Sequence, residues 1–283
     1  MTMAVKKERG KRRKSSNNIN DSNSVEEKIA EPGFAKPWVL ALANCIDHTL
    51  LNPTATTADI VKFCAEAAEY KMFAVCVNPF HVKRAVRELS STQVVVATVV
   101  GFPLGADLTD IKIAQAQRAL FEGAEELDMV INIGALKELD TNYVFNEIQS
   151  IVRVAKDHSV KVIIECDLLT KEEKVLATQI CAKAGAAMVK TSTGFVKEGK
   201  GATAEDVALL KQTIDNLVLD GGKEIKIKAS GGIKDYNQAI ALIEAGATRI
   251  GTSSGVNILS QARYKGSKTK TMKYISSVPS LVS

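Results

Sequence analysis

The sequence predicts an α/β fold, a single (β/α)8 TIM barrel with a disordered basic N-terminal extension, and three observations carry that prediction. Short β-branched runs alternate with longer segments of helical periodicity from about Pro37 onward, the pattern of βα units on a parallel sheet. Three of the helical segments end alike, at Gly123-Ala124, Gly185-Ala186 and Gly246-Ala247, where glycine can take the left-handed turn that closes a helix. Residues 37–259 divided among eight units allow about 28 residues each, near the ~250-residue scale of an eight-fold barrel. A doubly wound open sheet is the structural alternative, but no GxGxxG fingerprint follows Ile46, so it ranks second.

Taken in order, the strands are expected at Ala43–Ile46, Phe73–Val77, Val94–Val100, Glu126–Ile131, Lys161–Cys166, Ala187–Thr191, Glu224–Ala229 and Thr248–Gly251. Between them, apolar residues recur at spacings of three and four, as in Ile60/Cys64/Ala67/Ala68, Phe145/Ile148/Val152/Ala155 and Val207/Leu210/Ile214/Leu217. Such stripes suit crossover helices packed on a sheet. Thr203, with Asp206 three residues on, is expected to cap one of them. The domain division is therefore a basic arm over 1–36, a barrel over 37–260 and a C-terminal tail over 261–283.

Composition narrows the class further. The 283 residues are 46% hydrophobic and 24% charged, which fits a folded globular chain. The longest nearly apolar stretch, Val94–Ala106, is interrupted by Thr98, Gly101 and Pro103 and falls short of the ~18 residues of a membrane span. Five scattered cysteines (Cys45, Cys64, Cys76, Cys166, Cys181) form no CxxC pair, as expected of a reducing compartment without a disulfide framework. The net charge of +5 is concentrated near the start, where Lys6, Lys7, Arg9, Lys11, Arg12, Arg13 and Lys14 face only Glu8. The remainder is nearly neutral. The arm reads as a solvated tail, with nuclear targeting or polyanion binding as the sharper alternative, and no secretory h-region follows it.

Ionisable residues interrupt the strands at the end where such barrels build their sites. Asp47 ends the expected first strand, Asp128 lies in the fourth, Glu165 near the end of the fifth, Lys190 ends the sixth and Lys228 lies near the end of the seventh. One such residue is ordinary ion pairing; several at one barrel mouth favour catalysis over packing. Lys190 and Lys228, on neighbouring strands ~4.8 Å apart, would share a small dry space. Like charge and desolvation both lower a lysine pKa. From ~10.4, a drop of about 3 units, about 4 kcal/mol, turns a trace of neutral amine into a large share at neutral pH, which is how a Schiff-base lysine arises.

Gly- and hydroxyl-rich turns follow the same strands: Thr191-Ser192-Thr193-Gly194, Ala229-Ser230-Gly231-Gly232 and Gly251-Thr252-Ser253-Ser254-Gly255. Their backbone N–H groups suit a phosphorylated small molecule. His48, His81 and His158 lack metal-ligand spacing and no GxSxG elbow occurs, so neither a metal centre nor a serine triad is expected. His48 beside Asp47 reads either as a site residue or as a hydrogen-bonded structural histidine. Lys226 shares strand parity with Lys228, so alternation puts it deep in the barrel unless Glu126 pairs with it or a bulge turns it outward.

These stretches together resemble the deoxyribose-phosphate aldolase family of class I aldolases. The matching segments are Ile46–Leu50, Val75–Pro79, Thr98–Gly105, Glu126–Val130, Val189–Phe195, Ile227–Gly232 and Gly251–Ser254. The resemblance implies reversible cleavage of 2-deoxy-D-ribose 5-phosphate to D-glyceraldehyde 3-phosphate and acetaldehyde. It implies that Lys190 is the Schiff-base nucleophile, that Lys228 lowers its pKa and, with Asp128, relays protons, and that Asp47 holds Lys228. Thr193, Gly194, Gly231, Gly232, Gly251, Ser253 and Ser254 would bind the phosphate. No cofactor is implied, since the iminium is the electron sink.

The expected partner is a phosphosugar, in a cytoplasmic lyase of deoxyribonucleotide and carbohydrate catabolism that assembles as a homodimer or homotetramer. Nuclear or organellar targeting would follow if the arm acts as an address. Two other classes compete: another phosphosugar isomerase or epimerase on the same barrel, and a catalytically weak regulatory or binding homologue.

Overall fold

Eight parallel strands close on themselves in sequence order, β1 to β8, in this computed structural model, which describes residues 36–264. They are β1 (Ile46–Leu50), β2 (Ala74–Val77), β3 (Val95–Val100), β4 (Glu126–Val130), β5 (Ser159–Ile163), β6 (Met188–Lys190), β7 (Lys226–Ser230) and β8 (Arg249–Thr252). β8 returns to β1 with Ile46 opposite Ile250 and Asp47 opposite Gly251. Every backbone ladder is thus satisfied within the barrel and no strand edge is left open. The expected arm over 1–36 and the greater part of the tail over 261–283 lie outside the described residues.

Ten helices surround the strands among the described residues: α1 (Pro37–Ala43), α2 (Thr57–Glu69), α3 (Val82–Leu89), α4 (Thr109–Phe121), α5 (Ile133–Lys137), α6 (Thr141–Ala155), α7 (Lys171–Ala184), α8 (Ala204–Leu219), α9 (Tyr236–Glu244) and α10 (Gly255–Tyr264). Their apolar stripes form the layer between helices and sheet, with Ile60, Leu136, Ile148, Ile151, Leu210 and Ile258 fully buried. Each such aliphatic side chain contributes about 1.5–3 kcal/mol of hydrophobic stabilisation. Local signals start and stop the helices. Thr56 with Asp59 and Thr170 with Glu173 form reciprocal capping boxes, and Thr203 accepts the Asp206 N–H at 3.1 Å as its sequence position predicts. Gly123, Gly185 and Gly246 all take positive φ after their helices.

The largest departures from the expected strands are in β1 and β5. Residues Pro37–Ala43 form α1 rather than leading into a strand at Ala43: Pro37 suits the first helical turn, and Trp38, Val39, Leu42 and Ala43 bury one helical face. β1 therefore starts at Ile46, and Asp47 is its second residue rather than the residue that ends it. β5 starts two residues earlier than expected and stops at Ile163. Glu165 lies beyond it in the left-handed region at φ 57°, which breaks the ladder.

The interior of the barrel is divided by chemistry. Leu51, Cys76, Ala97 and Val99, with Phe102 packed on them, form a small apolar cluster separate from the main core. The opposite wall carries the charged residues of β4 to β8 and β1. Behind the mouth, the buried Lys112 amino group of α4 donates to Gly105 O at 2.7 Å, Val130 O at 2.9 Å and Glu147 Oε1 of α6 at 2.7 Å. Glu147 Oε2 accepts the Asn132 N–H at 3.0 Å. That pair ties the β3–α4 loop to the end of β4. All five cysteines are buried and unpaired, and no described helix is long and apolar enough to cross a membrane.

Candidate active site

Strand register brings the ionisable residues together. Lys190 is paired with Lys228 across β6 and β7, Lys228 with Arg249 across β7 and β8, and Asp128 with Lys161 across β4 and β5. Asp128 is the hub. Its Oδ2 accepts from Lys190 Nζ at 2.7 Å and Lys228 Nζ at 2.8 Å, and its Oδ1 accepts from Lys161 Nζ at 2.8 Å. Lys228 also donates to Asp47 Oδ2. Below this layer Arg249 bridges Asp47 Oδ1 at 2.8 Å and Glu126 Oε2 at 3.2 Å, and its guanidinium lies 3.5 Å over the Phe73 ring.

A charge count decides which group is labile. Three carboxylates (Asp47, Glu126, Asp128) face four basic groups (Lys161, Lys190, Lys228, Arg249), all of them buried. The cluster is neutral only if one base gives up its proton, and a buried excess charge is expensive. Arg249 cannot do so. Lys161 touches all three carboxylates and Lys228 touches two, whereas Lys190 touches Asp128 alone.

The pKa directions agree with that ranking. Burial lowers Lys190 below the ordinary lysine value, and the Lys228 charge adds to this while Asp128 opposes it. For Lys228, burial is outweighed by Asp128 and Asp47, so its pKa rises. Lys228 sits between two carboxylates and stays charged, the state in which it lowers the Lys190 pKa. Lys161 is raised for the same reason. Asp47 and Asp128 are held well below the carboxylate range despite burial, by Arg249 and the lysines respectively. Burial pushes the Cys76 thiol up to about 11, so it faces the lysines uncharged at neutral pH.

Above the cluster a cavity of about 520 Å³ opens at the strand C-termini, lined by Lys190, Thr193, Gly194, Gly231, Gly232, Gly251 and Ser253 among others. Of the cluster, only Lys190 lines it; Asp47, Asp128 and Lys228 lie beneath. The three glycine turns converge on its far side. A side chain at Gly251 would meet Lys228 Cε at 2.9 Å, so this glycine makes room for the lysine as well as facing the cavity. Ser254 is not among the lining residues: its N–H donates to Thr252 Oγ1 at 2.9 Å and its carbonyl accepts from Ile258, which puts it at the start of α10. Thr193 lines the cavity, yet its N–H and hydroxyl both donate to the Glu165 carboxylate.

Other residues fall elsewhere. His48 points away from Asp47, stacks on Phe63 with ring centroids 3.6 Å apart and contacts Glu66 at 3.1 Å. It belongs to the helix–sheet layer, and burial lowers its pKa. Glu165 serves the Thr193 turn rather than the lysines, and burial raises its pKa. Lys226 opens β7 half-buried at the N-terminal end of the barrel, without a bulge, and Glu126 is engaged by Lys161 and Arg249 instead. Lys161 and Arg249 carry no distinguishing motif. Lys161 is the middle residue of β5 and Arg249 the first of β8, and the one available signal was a basic residue in an otherwise apolar run, as in Lys161-Val162-Ile163-Ile164.

Known proteins resemble this chain over most of its length. Residues 41–261 match the sequence model of the DeoC/LacD family aldolases. A deoxyribose-phosphate aldolase of Thermococcus gammatolerans is 53% identical over 226 residues, 78% of this chain and 96% of the relative. One from Bdellovibrio bacteriovorus is 49% identical over 227 residues, 80% of this chain and 99% of the relative. Among solved structures, the tetrameric deoxyribose phosphate aldolase of Aeropyrum pernix superposes with a TM-score of 0.73 at 33% identity, covering 82% of this chain and 95% of the neighbour.

Proposed function

The chain belongs to the DeoC/LacD family of aldolases, and from that premise we propose that it is a deoxyribose-phosphate aldolase, a class I lyase cleaving 2-deoxy-D-ribose 5-phosphate to D-glyceraldehyde 3-phosphate and acetaldehyde. The observation that carries the reading is Lys190: the base with the fewest carboxylate contacts, depressed by burial and by Lys228, at the floor of the cavity. Its neutral amine attacks the C1 aldehyde of the open-chain sugar. The resulting carbinolamine loses water, with a proton supplied through Asp128 and Lys228, and becomes an iminium. Removal of the C3 hydroxyl proton then breaks C2–C3. The electron pair moves into the iminium as an enamine, and D-glyceraldehyde 3-phosphate departs. Protonation at C2 and attack by water release acetaldehyde and restore the amine.

Asp128 is suited to the relay because one carboxylate touches Lys190, Lys228 and Lys161. Asp47 holds Lys228 charged, which keeps Lys190 depressed. The phosphate is assigned to the Gly194, Gly231-Gly232 and Ser253 side of the cavity, near the start of α10 where Ser254 sits. Thr193 and Gly251 shape that side. We extend the reading to cytoplasmic deoxyribonucleotide and carbohydrate catabolism and to a homo-oligomer, which the tetrameric Aeropyrum pernix relative supports. The basic run at Lys6–Lys14 is assigned a weak polyanion contact.

The test is turnover of 2-deoxyribose 5-phosphate together with borohydride trapping in the presence of acetaldehyde. The wild-type chain is expected to do both, and Lys190→Met to do neither. An isomerase on the same barrel would turn over a phosphosugar without trapping. Trapping that survives in Lys190→Met and vanishes in Lys228→Met would reverse the two lysines.

A further inference from the structure

We propose that Asp167 is a positioning residue for phosphate recognition, seating the β6–α8 loop against the Gly231-Gly232 turn. This inference rests on the aldolase reading for the identity of the phosphorylated substrate. Asp167 lies in the short 3-10 turn Cys166–Leu168 that follows β5, outside the lysine cluster and outside the cavity lining. Its carboxylate crosses to the far end of the next loop, where Oδ1 accepts the Lys200 N–H at 3.0 Å and Oδ2 accepts the Gly201 N–H at 2.9 Å.

The loop is compressed between that carboxylate and the phosphate turn. A Cβ at Gly199 would sit 2.7 Å from Asp167 Oδ2. At Gly201, which has φ +68°, a Cβ would sit 2.4 Å from Gly231 O. Ala202 N–H donates to the same Gly231 carbonyl at 3.1 Å, and a Cβ at Gly232 would lie 3.3 Å from Lys200 O. The near end of the loop is held in a parallel way by Glu165, which takes both donors of Thr193, while Thr193 Oγ1 accepts the Phe195 N–H at 3.1 Å. Two carboxylates from one turn thus grip both ends of residues 193–201; the gripped loop presents Gly194 to the cavity, and the turn it packs against presents Gly231 and Gly232.

Chemistry explains why a carboxylate is used here. Two successive N–H groups aimed at one point form a concavity that attracts an anion. Asp167 fills it internally with charge-assisted hydrogen bonds. The loop gains a fixed seat, and an incoming phosphate is left the Gly194 and Gly231-Gly232 amides.

The test compares Asp167→Ala and Asp167→Asn with the wild-type chain on 2-deoxyribose 5-phosphate and on unphosphorylated 2-deoxyribose, with inorganic phosphate binding measured by calorimetry. Loss of two hydrogen bonds to a charged group predicts that Asp167→Ala raises KM for the phosphorylated sugar about tenfold and weakens phosphate binding in parallel. Its kcat, and kcat/KM for 2-deoxyribose, stay within about twofold on the same reasoning, because the lysine cluster is untouched. Asp167→Asn, keeping one acceptor, falls between. An unchanged KM and phosphate affinity, or an equal loss on both sugars, overturns the proposal, since the second pattern is that of a general structural role. If the wild-type chain turns over neither sugar, the aldolase reading fails, and the phosphate titrations still decide whether Asp167 seats the loop.

Discussion

Replacing Lys228 by Met should move the pH at which Lys190 becomes reactive. Both ammonium nitrogens lie on one oxygen of Asp128, at 2.7 and 2.8 Å, so those two distances laid end to end put them no more than about 5.5 Å apart. At that separation and an effective dielectric of about 20, two like charges repel by about 3 kcal/mol, or about 2 pKa units. The direction is fixed. Lys228 lowers the Lys190 pKa, so its removal raises that pKa, and the neutral amine recedes to higher pH. The acid limb of kcat/KM for 2-deoxyribose 5-phosphate should shift up by about 2 units, with about a hundredfold loss at neutral pH that is partly regained in alkali. Borohydride trapping should follow the same profile. The variant also leaves Asp47 and Asp128 short of a partner and should melt earlier, but a change in folded fraction does not move a limb along the pH axis below the melting point. A reduced rate with an unmoved acid limb would refute the electrostatic account and assign Lys228 to proton transfer alone.

Lys112→Met should destabilise the barrel by about 3–5 kcal/mol by leaving the Glu147 carboxylate buried without its cation, a melting-point loss of roughly 10 °C. The double variant Lys112→Met/Glu147→Leu should recover part of this in a denaturation series; no recovery would mean that the carbonyl contacts to Gly105 and Val130, and not the charge pair, dominate. Removing residues 1–30, with the basic run Lys6–Lys14, should leave kinetics and melting temperature unchanged and abolish most salt-sensitive retention on heparin. A melting-point drop of several degrees would show that this segment contributes to the barrel's stability.

Much of this protein is determined by its local sequence. The helix stops at Gly123, Gly185 and Gly246 and the cap at Thr203 are properties of a few adjacent residues, and β-branched runs alternating with apolar stripes specify βα units without reference to distant contacts. The pairing of Lys190 with Lys228 was likewise legible, because sequential parallel strands are neighbours in such a barrel. What the tertiary structure decided is depth and partnership. Asp47 enters the cluster because the register of β1 against β8 sets it opposite Gly251, within reach of Lys228 and Arg249. Lys161, Arg249 and Glu126 join it because the register across β4, β5 and β8 places them within reach of Asp47 and Asp128, over sequence separations that no local pattern encodes. The preference for deprotonating Lys190 follows from that assembly. It depends on how many carboxylates touch each base, and closure of the barrel sets that number.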